Sequence, residues 1–219
     1  MALNTLPAGA FADDAITAAK INLANTFAFT GTVTGVPNDI ELISTNTITS
    51  ASVATCDFTS FSTNYNHLIL KVADFVPSAN NGQLIVRLQT TGSSGFASGT
   101  NNYYNSRTRV YGNAGSYTTN QSGFENNYGV AGLGQNSEGN GYVETGSHMD
   151  LYFNNIHSTT KGKGYYGVFW GGNDSGNQCH QICGCTYVGT GRMDALTGIR
   201  LRSTSGDVKG RFSLYGVRT

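Results

Sequence analysis

The chain has 219 residues, with 13 Lys+Arg against 13 Asp+Glu and only 12% charged residues, a balance that gives little electrostatic grip on nucleic acid or an anionic membrane surface. This length suits one large domain, or one domain with an appendage, and is enough to bury a sizeable core. Polar bulk comes from Asn, Ser, Thr and 29 Gly, and with 12 Tyr the mixture matches extracellular or particle-borne β-proteins, whose turns need Gly and Asn.

The opening Met1 to Thr5 has neither a basic region nor an apolar run, so no signal peptide and no membrane-inserted helix is expected. Phe11 to Ile21 then reads as a short helix. Asp13 or Asp14 can accept from the free amides at its start, and Lys20 sits near the negative end of its dipole. Ile16, Ala19 and Leu23 fall on one face. A helix of about 12 residues is marginal alone in water, so this stripe is expected to anchor against another surface or against copies of itself, unless it folds back on its own β-domain. Phe27 to Asn38 alternates apolar and small polar residues and reads as an extended arm. Residues 1–38 are therefore expected to form a helical anchor and linker, and 39–219 the main domain.

From there the pattern becomes short alternating runs separated by turn signals, as in a sandwich or jelly roll. Ile40 to Ile48 and Ser52 to Phe58 open it. His67 to Val72 is a strong strand ending before Pro77, and Gln83 to Gln89 puts Leu84, Val86 and Leu88 on one face, with a turn over Ser78 to Gly82 between them. Tyr103 to Tyr111, Met149 to Phe153, Gly164 to Trp170, Gln181 to Val188, Leu196 to Arg202 and Arg211 to Val217 continue the series as strand candidates, for an expected fold of about eight or nine strands. Met149, Leu151 and Phe153 should face inward with Asp150 and Tyr152 outward, and Arg200 and Arg202 should line a solvated face opposite Ile199 and Leu201. No repeat at a fixed period is visible, which removes propellers and solenoids. The expected fold is all-β: a jelly-roll-like antiparallel β-sandwich preceded by a short N-terminal helix and an extended arm.

Thr90 to Gly146 departs from this regularity, being rich in Gly, Asn, Ser and Tyr and poor in aliphatic residues, and is expected to hold the longest loops. Tyrosine among Ser, Gly and Asn supplies broad amphipathic contacts at low entropy cost. Tyr104, Tyr117 and Tyr128 are the candidate recognition residues for a glycan or protein, the alternative being that these rings pack under loops or into a subunit interface.

Catalytic signals are weak. Glu125, Glu138, Glu144 and Asp150 are the only carboxylates of note, their spatial separation is not fixed by sequence, and loop carboxylates are usually solvated. His67, His148 and His157 sit in no recognisable triad, and the glycine-rich tracts lack the strand-to-helix context and lysine of a phosphate loop. No catalytic residue and no cofactor are expected. Cys179, Cys183 and Cys185 crowd together with His180, while Cys56 stands alone. Zinc is disfavoured because structural sites usually draw on two well-separated ligand pairs, and because Cys183 and Cys185 would share one strand face with Cys179 in the preceding turn. Reduced, buried or interfacial thiols are preferred over bridges, and no metal site is expected.

Two segments resemble bacteriophage virion proteins, chiefly tail fibres and related appendages. Leu6 to Ile21, with Asp14-Ala15-Ile16-Thr17-Ala18-Ala19-Lys20-Ile21, is similar to the D-A-I-T-x-A-K-I stretches of fibre N-terminal regions. Gly198 to Leu201 with Gly210 to Val217 resembles the terminal strands of β-sandwich domains in the same proteins. The resemblance implies a homotrimer assembled in the bacterial cytoplasm, an N-terminal region attached to other virion proteins, and a β-domain that contacts a host surface. It points to a short tail fibre, since no long shaft is present. A capsid decoration or cement protein is the alternative, with a glycan-degrading tailspike-type enzyme or a free lectin behind it. The apolar leader separates a virion part from a lectin, which has no need of one.

Overall fold

The computed structural model describes residues 40–79, 82–99, 101–113, 116–126, 128–133, 147–172 and 178–218, all within the unit Asn38–Thr219. The expected helix with Ile16, Ala19 and Leu23, and the arm to Asn38, lie outside the described residues.

The described chain is all-β, with twelve strands: β1 (Ile40–Val53), β2 (Thr55–Thr59), β3 (His67–Pro77), β4 (Gln83–Thr90), β5 (Tyr103–Asn113), β6 (Ser116–Asn126), β7 (Gly129–Leu133), β8 (Ser147–Phe153), β9 (Gly164–Gly172), β10 (Gln178–Tyr187), β11 (Leu196–Ser203) and β12 (Val208–Val217). Every pairing is antiparallel. An eight-stranded sheet runs β1-β12-β3-β8-β9-β10-β5-β6, and a four-stranded sheet runs β2-β11-β4-β7. Their inner faces share one buried cluster, giving a sandwich-like arrangement.

Alternation produces that core. In β3, Leu68, Leu70 and Val72 are buried, and in β8 Met149, Leu151 and Phe153 are buried while Asp150 and Tyr152 turn outward. The opposing sheet contributes Leu84, Val86 and Leu88 from β4, Ile199 and Leu201 from β11, and Cys56 and Phe58 from β2. Each such aliphatic side chain contributes about 1.5–3 kcal/mol when fully buried. On the outside of the small sheet Arg200 forks onto Asp57 through Nε at 2.8 Å and Nη2 at 2.6 Å. Its guanidinium also lies 4.2 Å over the Phe96 ring.

The pairings are nested. In the large sheet β1 meets β12 and β3 meets β8, while in the small sheet β2 meets β11 and β4 meets β7. Two hairpins, β5–β6 and β9–β10, are inserted into this pattern and extend the large sheet beyond β8. Beyond the expected runs the additional strands are β6, in this extension, and β7, at the edge of the small sheet, and they change the reading of Thr90 to Gly146. Tyr104 and Tyr117 lie on strands β5 and β6, not on loops. Polar, Gly-rich sequence gives little apolar alternation, so β6 is held as a strand by hairpin pairing with β5, and β7 by pairing with the more distant β4, rather than by their own propensity.

Candidate functional site

The outer face of the extension is the most distinctive surface of the described fold. Antiparallel register sets Tyr152 of β8 beside Tyr166 of β9, and His148 beside Trp170. The next strand places Ile182 beside Val168 and His180 beside Trp170, and β5 then brings Thr108 beside Ile182 and Val110 beside His180. Several of these residues are apolar and well exposed: Ile182 at 65%, Tyr166 at 51%, Val168 at 50% and Trp170 at 39%. Tyr152 and Tyr166 stack with centroids 4.8 Å apart and an interplanar angle of 11°, close to the spacing of neighbouring strands. Trp170 lies between two imidazoles, 5.7 Å from His148 and 6.5 Å from His180.

The signal for this face was present in β9. Tyr165-Tyr166-Gly167-Val168-Phe169-Trp170 is apolar in both parities, whereas a strand with one wet face alternates with polar residues. The inward set Tyr165, Gly167 and Phe169 enters the core. The outward set has no covering layer among the described residues.

Charge borders the face. Lys71 Nζ donates to Asp150 Oδ2 at 2.9 Å, and this carboxylate raises the lysine pKa. His148 Nε2 is 3.8 Å from Asp74 Oδ1. Asp74 has a left-handed φ of 56° at a bulge in β3. The bulge faces Gly210 of β12, whose φ of 145° and Cβ clearance of only 3.0 Å to Ala73 O suit glycine alone.

Of the sequence candidates, Tyr104 is 51% exposed on β5, in register with Thr186 and Glu125. Tyr128 is half-buried between β6 and β7, and its carbonyl accepts from Asn105 Nδ2 at 3.1 Å. Tyr117 pairs with Gly112 near the far end of the β5–β6 hairpin. Tyr104 and Tyr117 thus lie on the inserted strands and Tyr128 just beyond them, with Tyr104 exposed on the outer face. Tyr103, its neighbour in sequence, is fully buried. Glu138 and Glu144 lie outside the described residues, and Asp150 is engaged by Lys71.

The cysteines belong to the core. Cys179 falls within β10 rather than in a preceding turn, and it shares the inward face with Cys183 and Cys185. All four cysteines are free and buried. Burial pushes the Cys56 and Cys183 thiols up to about 11 and the Cys185 thiol higher still, which suppresses the nucleophilic thiolate at neutral pH. Among the described residues no group of three His, Cys, Asp or Glu is placed to hold a metal ion.

No family model, curated protein or solved structure matches the chain.

Proposed function

We propose that this chain is a non-enzymatic structural protein of a bacteriophage virion, a short tail fibre that attaches through residues 1–38 and contacts the host surface through its β-domain. The observation that carries the reading is the exposed aromatic and aliphatic face built by the two inserted hairpins. An open face of this kind, with Tyr166, Val168, Trp170 and Ile182 turned outward, suits contact with another surface better than enclosure of a reacting substrate.

Topology supports the same reading. Nested pairs of β1 with β12, β2 with β11, β3 with β8 and β4 with β7, alternating between sheets, are the pattern of a jelly roll, an architecture recurrent in capsid and lectin domains. The hairpins are then insertions in that scaffold, the usual place for function to be added. Free buried thiols suit assembly in a reducing cytoplasm. The sequence resemblance supplies the virion, and a trimer supplies avidity: three weak faces held together raise the effective concentration of each.

Labelling intact particles with antibody against the β-domain tests the assignment. Signal at the tail is expected, and deletion of Met1 to Asn25 should leave a folded domain that no longer enters particles. Signal confined to the head would make the chain a decoration protein, and no signal on particles would overturn the virion role.

A further inference from the structure

We propose that the inserted hairpins form a groove for a neutral oligosaccharide, walled by Tyr166 and Tyr104 and floored by Gly184. The proposal rests on the host-contact reading above and names the chemistry that the face would recognise.

Gly184 lies in the interior of β10, between Tyr166 of β9 and Ser106 of β5. Glycine weakens a strand interior and, in that position, commonly marks a close approach of backbone or ligand. Most neighbouring glycines have a packing reason. A Cβ at Gly167 would run into Leu151 and Asp150 O, one at Gly171 into Ser147 and Phe169, and one at Gly164 into Cys185 O. Gly184 has no such reason, since its Cβ would meet only Ser106 Oγ, at 3.2 Å, and its φ is not left-handed. The fold would admit a side chain there, and its absence keeps the space above the sheet open.

That space has an aromatic wall. Tyr152 covers one face of the Tyr166 ring at 4.8 Å, and because Tyr152 lies on the β8 side, the other face is turned toward β10 and Gly184. Tyr104 stands across the gap, two strands over and one residue pair along, which places the two Cα atoms about 12 Å apart. The stack holds Tyr166 in place before any ligand arrives, which reduces the ordering cost of binding.

Polar groups converge on the same end of the sheet. Thr186 and Asn154 are exposed there, and with Asn155, Gly164 and Tyr166 they line a cavity of about 280 Å³ that adjoins the groove at Tyr166 and does not itself reach Gly184 or Tyr104. Asn154 Oδ1 meets His67 Nδ1 at 3.1 Å, which orients its amide. A sugar ring presents an apolar C–H face and a rim of hydroxyls, so an exposed tyrosine face beside amide and hydroxyl groups matches it on both counts. The cavity's cation, Lys163, is buried and held by the carbonyls of Ser158, Lys161 and Met193, so it is not presented to an acidic ligand. The groove therefore favours neutral over acidic saccharides.

The test is a glycan array of neutral and acidic oligosaccharides probed with the full chain, followed by calorimetric titration of the best-bound neutral one. Binding is expected for neutral oligosaccharides, weakened about tenfold or more by both Tyr166→Ala and Gly184→Val at unchanged melting temperature. If Gly184→Val misfolds, Tyr166→Ala decides. Absence of any neutral ligand, preference for acidic glycans, or unchanged affinity in Tyr166→Ala overturns the groove. Particle labelling separates the two proposals: a chain found on the tail that binds no neutral glycan loses the groove and keeps the virion role.

Discussion

Replacing Tyr103 by Phe should expose how the inserted strands are fastened to the sandwich. The Tyr103 hydroxyl on β5 accepts from Leu88 N–H of β4 at 2.8 Å and donates to Ala97 O at 3.3 Å. Leu88 needs this partner because β7 pairs with β4 only from Gln83 to Val86. Beyond that point the β4 edge is completed by Ala97 N–H, which donates to Leu88 O at 2.9 Å, and by Tyr103. Tyr103→Phe keeps the ring beside Tyr187, 5.3 Å away, but leaves a buried N–H without an acceptor. That omission costs about 1–3 kcal/mol, and at about 2–4 °C per kcal/mol for a domain of this size, a central value of about 2 kcal/mol lowers the melting temperature by roughly 4–8 °C. Tyr187→Phe is the internal comparison: its hydroxyl donates to Thr190 O at 2.6 Å, and Thr190 is exposed, so water can replace the lost donor and the cost should stay near about 1 kcal/mol. Thermal and urea unfolding of the full chain measure both. A Tyr103→Phe protein that melts with the parent, or that loses no more than Tyr187→Phe, would show that the cross-sheet hydrogen bond does not hold β5 in place.

Lys163 is almost fully buried and donates to Ser158 O at 2.7 Å, Lys161 O at 2.8 Å and Met193 O at 3.3 Å. Lys163→Met should cost about 1–2 kcal/mol, chiefly by removing the donor from Ser158 O, since Lys161 and Met193 are exposed and water can replace the donor at their carbonyls, read as a lower urea midpoint and faster proteolysis between Asn154 and Lys163. The raised thiol pKa values predict alkaline weakening. Unfolded cysteines titrate near about 8.5 while Cys56 and Cys183 hold their protons to about 11; from about pH 9 upward the unfolded state releases protons that the folded state keeps, so stability falls until the folded thiols also ionise. Denaturant midpoints at stepped pH measure this, and the slope should shrink in Cys183→Ala; a slope unchanged in that variant refutes the assignment. Light scattering of the full chain should give a trimer mass, and a clean monomer at micromolar concentration would count against self-assembly.

Local alternation carried much of the fold in legible form. Met149, Leu151 and Phe153 against Asp150 and Tyr152, or Ile199 and Leu201 against Arg200 and Arg202, name their own inner and outer faces because side chains alternate with period two along a strand. The all-β class and most strand positions follow from that period and from turn residues between runs. Pairing does not follow from it. Whether Tyr103 or Tyr104 enters the core, and which glycine is required by packing and which leaves a groove, were decided by neighbours distant in sequence, while the polar run Ser116 to Asn126 is a strand because its hairpin partner β5 is fixed in the large sheet by β10. Tyr166, Val168, Trp170 and Ile182 are ordinary strand residues until register sets them side by side on one exposed face. Periodicity is a property of the chain, but strand order and register are set by long-range hydrogen bonding and core packing, which only the folded sheets bring into existence.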